Sequence, residues 1–374
     1  MSDVLALLRS AALLRRSGTP GLLATVVDVR GSSYRRPGAR MLLAADRRLA
    51  GSVSGGCLEG DVLRKGWWRT EGGSPVVVSY DATANEDGGW GFGLGCDGIV
   101  DVMLERVDAP RRVDALRFLA RCHEAQRRGT MATVFRSDAP GAPVGARLAV
   151  DEAGHRDASD DVRDELRDRL EATCAVSLAS PAGASARTIA CGGQGVEVLI
   201  EPVAPPRRLF VFGSGHDAAS VVAIAGAVGW EVLVCEPHGR GGTRERFPAA
   251  DAVLVEPLPA IAARVDESDC AMAVVMSHDF ARDREALAML LASGAAYVGV
   301  LGPRRRTVRL LGELGMEGAL DDPRLHAPVG LAIGAESPHE IALSIVAEAQ
   351  SVLAREPGTS LHHRPGPIHE GASP

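Results

Sequence analysis

The chain has 374 residues, of which 46% are hydrophobic and 4% aromatic, and its formal net charge is −7. Basic residues do not cluster on any one predicted helix, which argues against a nucleic-acid-binding surface, and no apolar stretch is long enough to insert into a membrane. The seven cysteines include no CxxC pair, which disfavours a structural zinc site, a thioredoxin-like site and a disulfide framework. Reduced thiols in a cytoplasmic protein are the simpler interpretation.

The first half of the chain is predicted to mix strands, helices and glycine-rich loops in an N-terminal α/β domain over residues 1–201. An amphipathic helix is expected over 3–14. Strands are predicted over 21–29, 40–44, 75–80, 99–105 and 130–135, and helices over 58–69, 113–128 and 160–170. A polar, glycine-rich loop is expected over 81–98, and the segment 139–187 is interpreted as a variable insert.

The second half has a different pattern. Residues 202–207 are rich in proline and are predicted to form a stiff linker. Over 208–355, short apolar strands alternate with helices, which indicates a doubly wound, Rossmann-like parallel sheet. The tail over 356–374 is rich in Pro, Gly and His and is predicted to be disordered. The expected fold class is therefore α/β in both domains.

A weak internal similarity joins two segments of the first half. The run Cys96–Glu105 resembles Cys191–Glu201, since each has a Cys-Gly-like turn followed by a strand that ends in Glu. Turns that lead into strands often look alike. We therefore interpret the similarity as two unrelated strand entries.

The segment Gly51–Glu59 is the main candidate site of the first half. It places Ser52, Ser54, Gly55, Gly56, Cys57 and Glu59 just before a predicted helix. Backbone N–H groups at such a position suit an anion such as phosphate, and a thiol there is expected to have more thiolate character. The alternative is that Cys57 only packs as a small residue. Cys96, in the second glycine-rich loop, is a further candidate.

The second half carries a dinucleotide-type glycine pattern. Gly213, Gly215 and Ala218 follow a predicted strand and open a helix, as the fingerprint requires. Glu236 ends the next strand, where an acidic residue can accept hydrogen bonds from a ribose and disfavour a 2′-phosphate. The alternatives are that the glycine turn serves packing alone or binds another phosphate.

Two His-Asp pairs and an arginine lie at the predicted carboxyl edge of this sheet, where ligands bind. The pairs are His216-Asp217 and His278-Asp279, and Arg304 follows a later strand. They could be acid/base groups, metal ligands or phosphate contacts, or cap the helices that they precede. Four other cysteines are expected to be buried as small apolar residues; they are Cys122, Cys174, Cys235 and Cys270.

Several motifs, in order along most of the chain, resemble those of the XdhC/CoxI family. In the first half they are GSSYRRPGARM (31–41), GSVSGGCLE (51–59) and GLGC (93–96). In the second half they are FGSGH (212–216), RERFP (244–248), SHD (277–279), GVLGPRR (299–305), PVGLAIGAESP (328–338) and EIALSI (340–345). The chain departs from the family pattern at Asp217, where a small or apolar residue is usual, and at Glu236, where Asp is common.

The resemblance implies a carrier and maturation factor without turnover chemistry of its own. Family members bind molybdenum cofactor in its molybdopterin form, work with a cysteine desulfurase that gives it a terminal sulfur, and deliver it to an apo molybdenum hydroxylase. On this basis Cys57 is expected to contact molybdenum or its sulfur, and the Ser54–Gly56 backbone to hold phosphate. The Rossmann edge is expected to hold a nucleotide or the nucleotide arm of the cofactor, through Gly213, Gly215, His216, Glu236 and His278.

Two alternatives remain open at the level of sequence. One is an NAD(P)-dependent oxidoreductase that uses His216 or His278 as an acid/base group. The other is a regulatory protein with a vestigial nucleotide site. Self-association into a homo-oligomer is also left open, because the sequence shows no coiled-coil pattern that would decide it.

Overall fold

The computed structural model describes residues 4–31, 33–45, 47–56, 58–81, 98–107, 113–180, 183–237, 239 and 243–363. The chain divides into two compact units, Met1–Pro206 and Arg207–Pro374. Each unit is α/β, as the sequence predicts. Among the described residues, no helix combines the length and apolar character needed to cross a membrane.

The first unit has two sheets, which we call sheet A and sheet B. Each has five antiparallel strands among the described residues. Sheet A has the spatial order β3-β2-β1-β5-β4 and sheet B the order β8-β7-β6-β10-β9. In chain order, the first elements are α1 (Val4–Ser17), β1 (Leu22–Gly31), β2 (Arg40–Leu43), β3 (Arg48–Gly51), α2 (Glu59–Arg69), β4 (Val76–Asp81) and β5 (Gly98–Arg106). The next are α3 (Ala115–Glu124), β6 (Gly129–Arg136), β7 (Arg147–Asp151), β8 (Arg156–Ala158), α4 (Asp164–Ala179), β9 (Ser185–Cys191) and β10 (Gln194–Val203).

The two sheets are structural repeats of one another. Each is built from a helix, three strands, a second helix and two strands, and the spatial orders correspond strand for strand. The pairing registers also correspond: Leu23 faces Glu105 in sheet A as Met131 faces Glu201 in sheet B. We refer to α1–β5 as repeat 1 and α3–β10 as repeat 2.

The irregular features are repeated too. A β-bulge in β1 interrupts its pairing with β5 just after Val26, and one in β6 interrupts its pairing with β10 next to Val134. Gly38 and Gly145, each two residues before the second strand of its repeat, have φ of +88° and +87°, a region that favours glycine. Bulges and positive-φ glycines are local backbone solutions. Their recurrence at equivalent positions therefore indicates duplication rather than chance.

The duplication corrects one interpretation made from sequence. The Cys96–Glu105 and Cys191–Glu201 similarity is not a coincidence of strand entries, because β5 and β10 occupy equivalent places in the two sheets. Residues 139–187 were expected as a variable insert. They instead form the strands β7 and β8 of sheet B and the helix α4, which packs against this sheet. Helix α4 also runs to Ala179, beyond the predicted end near 170, because residues 171–179 contain no glycine or proline to stop it.

Apolar alternation along the strands builds the core of the first unit. Leu22, Ala24 and Val26 of β1 face α2, whereas Leu23 packs with α1 and α3. Equivalent residues of sheet B pack against α4. Full burial of one such aliphatic side chain contributes about 1.5–3 kcal/mol, so the helices are held to the sheets mainly by these contacts.

The second unit is a doubly wound parallel sheet with the spatial order β13-β12-β11-β14-β15-β16. Its strands are β11 (Arg208–Phe212), β12 (Glu231–Cys235), β13 (Ala252–Leu254), β14 (Ala271–Val275), β15 (Tyr297–Val300) and β16 (Leu325–His326). Its helices are α5 (His216–Ala227), α6 (Leu258–Asp266), α7 (Phe280–Ala292), α8 (Arg304–Leu314) and α9 (Pro338–Ala354). The order reverses between β11 and β14, which places the ligand crevice expected of this fold after these two strands.

Both faces of the parallel sheet are covered. Leu209 and Val211 of β11 face α5 and α9, and Phe210 and Phe212 face the layer of α6, α7 and α8. This two-sided burial explains why the strands are nearly continuous apolar runs. The prediction of a Rossmann-like sheet is confirmed.

Candidate functional site

Three connections of repeat 1 lie between strands or helices at the same end of sheet A. Gly31, the end of β1, pairs with Gly98, the start of β5, and Gly51, the end of β3, pairs with Met41 near the start of β2. The connections 32–39, 52–58 and 82–97 therefore attach at the same end of the sheet. Cys57 and Cys96 belong to two of these connections, although both residues lie outside the described part of the chain.

The connection from β3 to α2 is organised around Glu59. The carboxylate of Glu59 accepts hydrogen bonds from the backbone N–H groups of Val53 (3.2 Å) and Ser54 (2.9 Å), and from the Ser54 hydroxyl. The Ser54 oxygen in turn accepts from the N–H groups of Gly56 and Leu58, both at 3.1 Å. Four N–H groups of the connection that precedes α2 therefore have acceptors within the protein.

This arrangement affects both the charge and the ligand-binding capacity of the connection. Burial by itself raises the pKa of Glu59, but the hydrogen bonds from Ser54 and Val53 outweigh it and hold the pKa below its usual value. The ionised carboxylate occupies the N–H of Ser54, one of the groups that the sequence assigns to phosphate, and the Ser54 oxygen occupies that of Gly56. The backbone of Gly55 and Gly56 is exposed beside it.

The neighbouring connection, from β1 to β2, contacts this one through two residues. The guanidinium of Arg35 donates to the Ser52 hydroxyl from Nε (2.9 Å) and Nη2 (2.5 Å). The Tyr34 ring lies beside Gly55, where an added Cβ would sit 3.6 Å from the ring. Tyr34 is nevertheless 72% exposed, so one face of an aromatic ring is open to solvent at this end of the sheet.

In the second unit, the glycine turn after β11 lies at the switch point. Gly213 has φ +143°, and a Cβ there would meet the backbone oxygen of Met276 at 2.6 Å. Glycine is therefore required for the close approach of the β11 and β14 ends. Gly215 is the N-cap of α5 with φ −68°. The expected strand–glycine turn–helix geometry is present.

A His–Asp hydrogen bond that the sequence did not indicate spans the switch point. Nε2 of His278 lies 2.7 Å from Oδ2 of Asp217, with side chains 63% and 18% exposed. The other oxygen of Asp217 accepts from the N–H of Ala218 (2.9 Å), in the first turn of α5. The sequence flagged the neighbours His216-Asp217 and His278-Asp279, but the pair that forms joins one member of each.

The remaining candidates of this edge have separate roles. Glu236 is 3% exposed at the end of β12, with Arg282 Nη1 at 3.9 Å from its carboxylate. Asp279 caps α7 by accepting from the N–H groups of Ala281 and Arg282, which is the structural alternative weighed for it. His216 is exposed in the first turn of α5, and Arg304 is exposed in the first turn of α8.

A buried cluster supports the strand end that carries His278. Asp283 is 1% exposed, accepts from the N–H (3.1 Å) and hydroxyl (2.5 Å) of Ser277, and pairs with Arg306 at 2.7 Å. It fixes the backbone just before His278, which has φ +61°. Sequence alone did not single out Asp283, because its partners come from two different elements.

Three of the described thiols are poor candidates for chemistry. Burial raises the pKa of Cys122 and of Cys174 to about 12, and raises that of Cys235 further. These three are buried as expected, but Cys270 is only partly buried, because it precedes β14 in a turn. No cluster of three or more His, Cys, Asp or Glu side chains that could hold a metal ion is found among the described residues.

Comparison with known proteins gives matches over both units. Residues 14–81 match the XdhC and CoxI family, and residues 209–349 match the XdhC Rossmann domain. A Bacillus subtilis protein, named as a probable subunit of xanthine dehydrogenase, is 30% identical over 87% of this chain and 91% of its own length. The Escherichia coli molybdenum cofactor insertion chaperone PaoD is 26% identical over 92% of this chain and 87% of its own.

A solved structure gives the same result for the fold. A crystal structure from Bacillus halodurans, described as a xanthine dehydrogenase, superposes with a TM-score of 0.72 at 27% sequence identity. The match covers 96% of this chain and 98% of that one. The likeness therefore includes both units and their order along the chain.

Proposed function

This chain belongs to the XdhC and CoxI family, and we propose from this that it binds molybdenum cofactor and helps to insert it into a molybdenum hydroxylase of the xanthine dehydrogenase type. The relative PaoD is named as an insertion chaperone for this cofactor, and two other similar proteins carry the name xanthine dehydrogenase. In this proposal the cofactor is cargo, and the chain is a carrier rather than an enzyme.

One observation carries the proposal: the segments with Cys57 and Cys96 attach at the same end of sheet A. Molybdenum and its sulfur are soft partners that a thiol suits. Cys57 follows the exposed Gly55 and Gly56 in the chain. We assign it the contact to molybdenum or its sulfur, with Cys96 as the second thiol of the site.

The other groups at this end fit a flat, phosphorylated ligand. The exposed ring of Tyr34 offers a stacking surface for a pterin. Because Glu59 occupies the N–H groups of Val53 and Ser54, and the Ser54 oxygen occupies that of Gly56, we assign the cofactor phosphate to the exposed backbone at Gly55 and to the exposed guanidinium of Arg36.

We assign a nucleotide, or the nucleotide arm of a dinucleotide form of the cofactor, to the edge of the parallel sheet. Gly213 and Gly215 allow close approach of a ligand to the start of α5. We assign to Glu236, at the end of β12, the role of accepting from a ribose, and we assign His216, His278, Asp279 and Arg304 to the same ligand-binding edge. The acidic Asp217 in the first turn of α5 opposes a phosphate at the helix start, and its carboxylate is hydrogen-bonded to His278.

The first experiment measures cargo binding. The full chain is mixed anaerobically with molybdenum cofactor, and the molybdenum that co-elutes with the protein is quantified for the wild type, Cys57→Ala and Cys270→Ala. Cys270, in the other unit and partly buried, is the matched control. We expect wild type and Cys270→Ala to retain molybdenum and Cys57→Ala to lose most of it.

Each result separates one part of the proposal. Absence of molybdenum with the wild type would overturn the carrier function. Equal retention by all three proteins would keep the carrier and remove Cys57 from the site. Turnover of NAD(P) by the chain alone, without a client protein, would favour the oxidoreductase alternative.

We also propose that a cysteine desulfurase supplies the terminal sulfur while this chain holds the cofactor. The proposal is tested by adding cofactor-loaded protein to an apo molybdenum hydroxylase, with and without the desulfurase and cysteine. Activation only in the complete mixture supports it. Full activation of the client without a desulfurase, from a cofactor that lacks the sulfur, would contradict it.

A further inference from the structure

Two buried arginine–glutamate pairs join the repeats of the first unit crosswise. Arg40, at the start of β2 in repeat 1, binds Glu201 of repeat 2 with Nη1–Oε1 at 2.5 Å and Nη2–Oε2 at 2.6 Å. Arg147, at the start of β7 in repeat 2, binds Glu105 of repeat 1 with Nη2–Oε1 at 2.5 Å and Nη1–Oε2 at 3.0 Å. The pairs are therefore equivalent under the duplication.

The two pairs also have similar environments. The side chains of Arg40 and Glu201 are 5% and 9% exposed, and those of Arg147 and Glu105 are 1% and 5% exposed. In each pair, two parallel N–H···O hydrogen bonds fix both the distance and the orientation of the guanidinium relative to the carboxylate. A change to either glutamate leaves one buried guanidinium without its counter-charge, so the two changes are expected to perturb folding to a similar extent.

The pairs differ in what they support. Arg40 Nη1 also donates to the carbonyl oxygen of Gly38 (3.1 Å), and a Cβ on Gly38 would lie 3.2 Å from Oε1 of Glu201. Glu201 thus lies directly against the end of the 32–39 connection. That connection carries Arg35 and Tyr34, which contact Ser52 and Gly55.

Repeat 2 lacks the corresponding loop chemistry. The equivalents of the three connections are residues 137–146, 159–163 and the turn Gly192–Gly193, and none of these contains cysteine or an aromatic residue. Cys191, which directly precedes the turn, is buried as the last residue of β9. The cysteine-bearing connections therefore belong to repeat 1, while repeat 2 contributes the carboxylate that supports one of them.

We propose that Glu201 is a positioning residue for the cofactor-binding end of repeat 1, acting through Arg40, and that repeat 2 serves as the scaffold of the duplicated pair. The identity of the loop as a cofactor site rests on the proposed function. The mechanical link from Glu201 to the connections 32–39 and 52–58 does not, because it follows from the contacts alone.

Amide hydrogen exchange on the full chain tests the link, and the equivalent Arg147–Glu105 pair provides the control. Glu201→Gln is compared with Glu105→Gln. We expect Glu201→Gln to accelerate exchange within 33–56 by roughly tenfold or more, and to leave 137–146 unchanged. Glu105→Gln should leave exchange within 33–56 close to the wild-type rate. If a Gln variant does not fold, the same comparison is made with Arg40→Lys and Arg147→Lys.

The outcomes are separable from those of the proposed function. Equal acceleration within 33–56 in both Gln variants, or none in Glu201→Gln, would overturn the positioning role. Where the exchange pattern holds, Glu201→Gln should also weaken molybdenum retention relative to Glu105→Gln. If the exchange pattern holds but the wild type retains no molybdenum, the link stands and the carrier function fails.

Discussion

Asp217 and His278 follow the two strands that flank the switch point, β11 and β14, and their Oδ2 and Nε2 atoms lie 2.7 Å apart. The carboxylate also accepts the N–H of Ala218 at the start of α5. A helix N-terminus is where a dinucleotide pyrophosphate binds in this type of fold. The chain therefore already holds a negative charge where that ligand would bring another.

This relationship predicts opposite effects for its two members. Asp217→Asn removes the repulsive charge and is expected to strengthen binding of NAD or inorganic pyrophosphate by roughly fivefold. His278→Asn removes the compensating partner and should weaken binding by a similar factor. Titration calorimetry at low and high salt measures both, with the difference shrinking as salt rises.

The control is Asp279→Asn, which changes a neighbouring carboxylate that caps α7 and is half exposed. It should have a smaller effect on affinity than either variant of the pair. A change in the same direction for Asp217→Asn and His278→Asn would contradict the electrostatic explanation.

Much of the second unit could be predicted from sequence, because its signals are local. Gly213 and Gly215 sit between a short apolar strand and a helix, and the strand–turn–helix pattern alone indicates their role. The helix cap formed by Asp279 was one of the alternatives open from sequence for the same reason. The Asp217–His278 pair was not, because it depends on which strands become neighbours in the sheet.

The duplication of the first unit was visible only in part. Cys96–Glu105 and Cys191–Glu201 were noticed, but a short similarity cannot distinguish a repeat from two similar turns. A second signal was present: Gly-Ala-Arg occurs at 38–40 and again at 145–147. In the structure both glycines have positive φ and both arginines form the crossed pairs. β3 was missed because its sequence, Arg-Leu-Ala-Gly, contains no β-branched or aromatic residue and ends in glycine.

The exposed ring of Tyr34 leads to a second prediction. If it stacks on the pterin, Tyr34→Ala should weaken molybdenum cofactor retention by roughly tenfold, because base–aromatic stacking contributes about 1–3 kcal/mol. Thermal stability should change little, since the ring is 72% exposed and buries little area. Cofactor titration and thermal unfolding are measured on the same preparations.

Trp68 provides the matched control for Tyr34. It is also 72% exposed, but it lies near the C-terminal end of α2, the end of the helix away from the 52–58 connection. Trp68→Ala should leave cofactor retention at the wild-type level. Equal losses in the two variants would show that removal of any exposed aromatic reduces retention, and Tyr34 would then have no specific role.

The third prediction concerns acid stability and rests on Asp61 of α2. Its carboxylate lies 2.9 Å from the Lys65 ammonium, 2.8 Å from Arg69 and 2.9 Å from the Tyr80 hydroxyl. Burial alone raises the pKa of Asp61, but these three partners outweigh it and lower the pKa to about 2. The ionised form therefore ties α2 to β4.

The sign of the effect follows from the lowered pKa. The contribution of Asp61 is fully present above its ordinary value of 3.8 and is lost as the pH falls toward about 2. A shift of this size corresponds to about 2 kcal/mol of unfolding free energy. Asp61→Asn should lower the free energy of unfolding by about that amount at pH 7 and give it a flatter pH dependence between about 4 and 2.

Urea unfolding at a series of pH values measures this, with Asp164→Asn, whose side chain is 92% exposed, as the control. Parallel curves for the wild type and Asp61→Asn across that range would show that other carboxylates dominate the acid response.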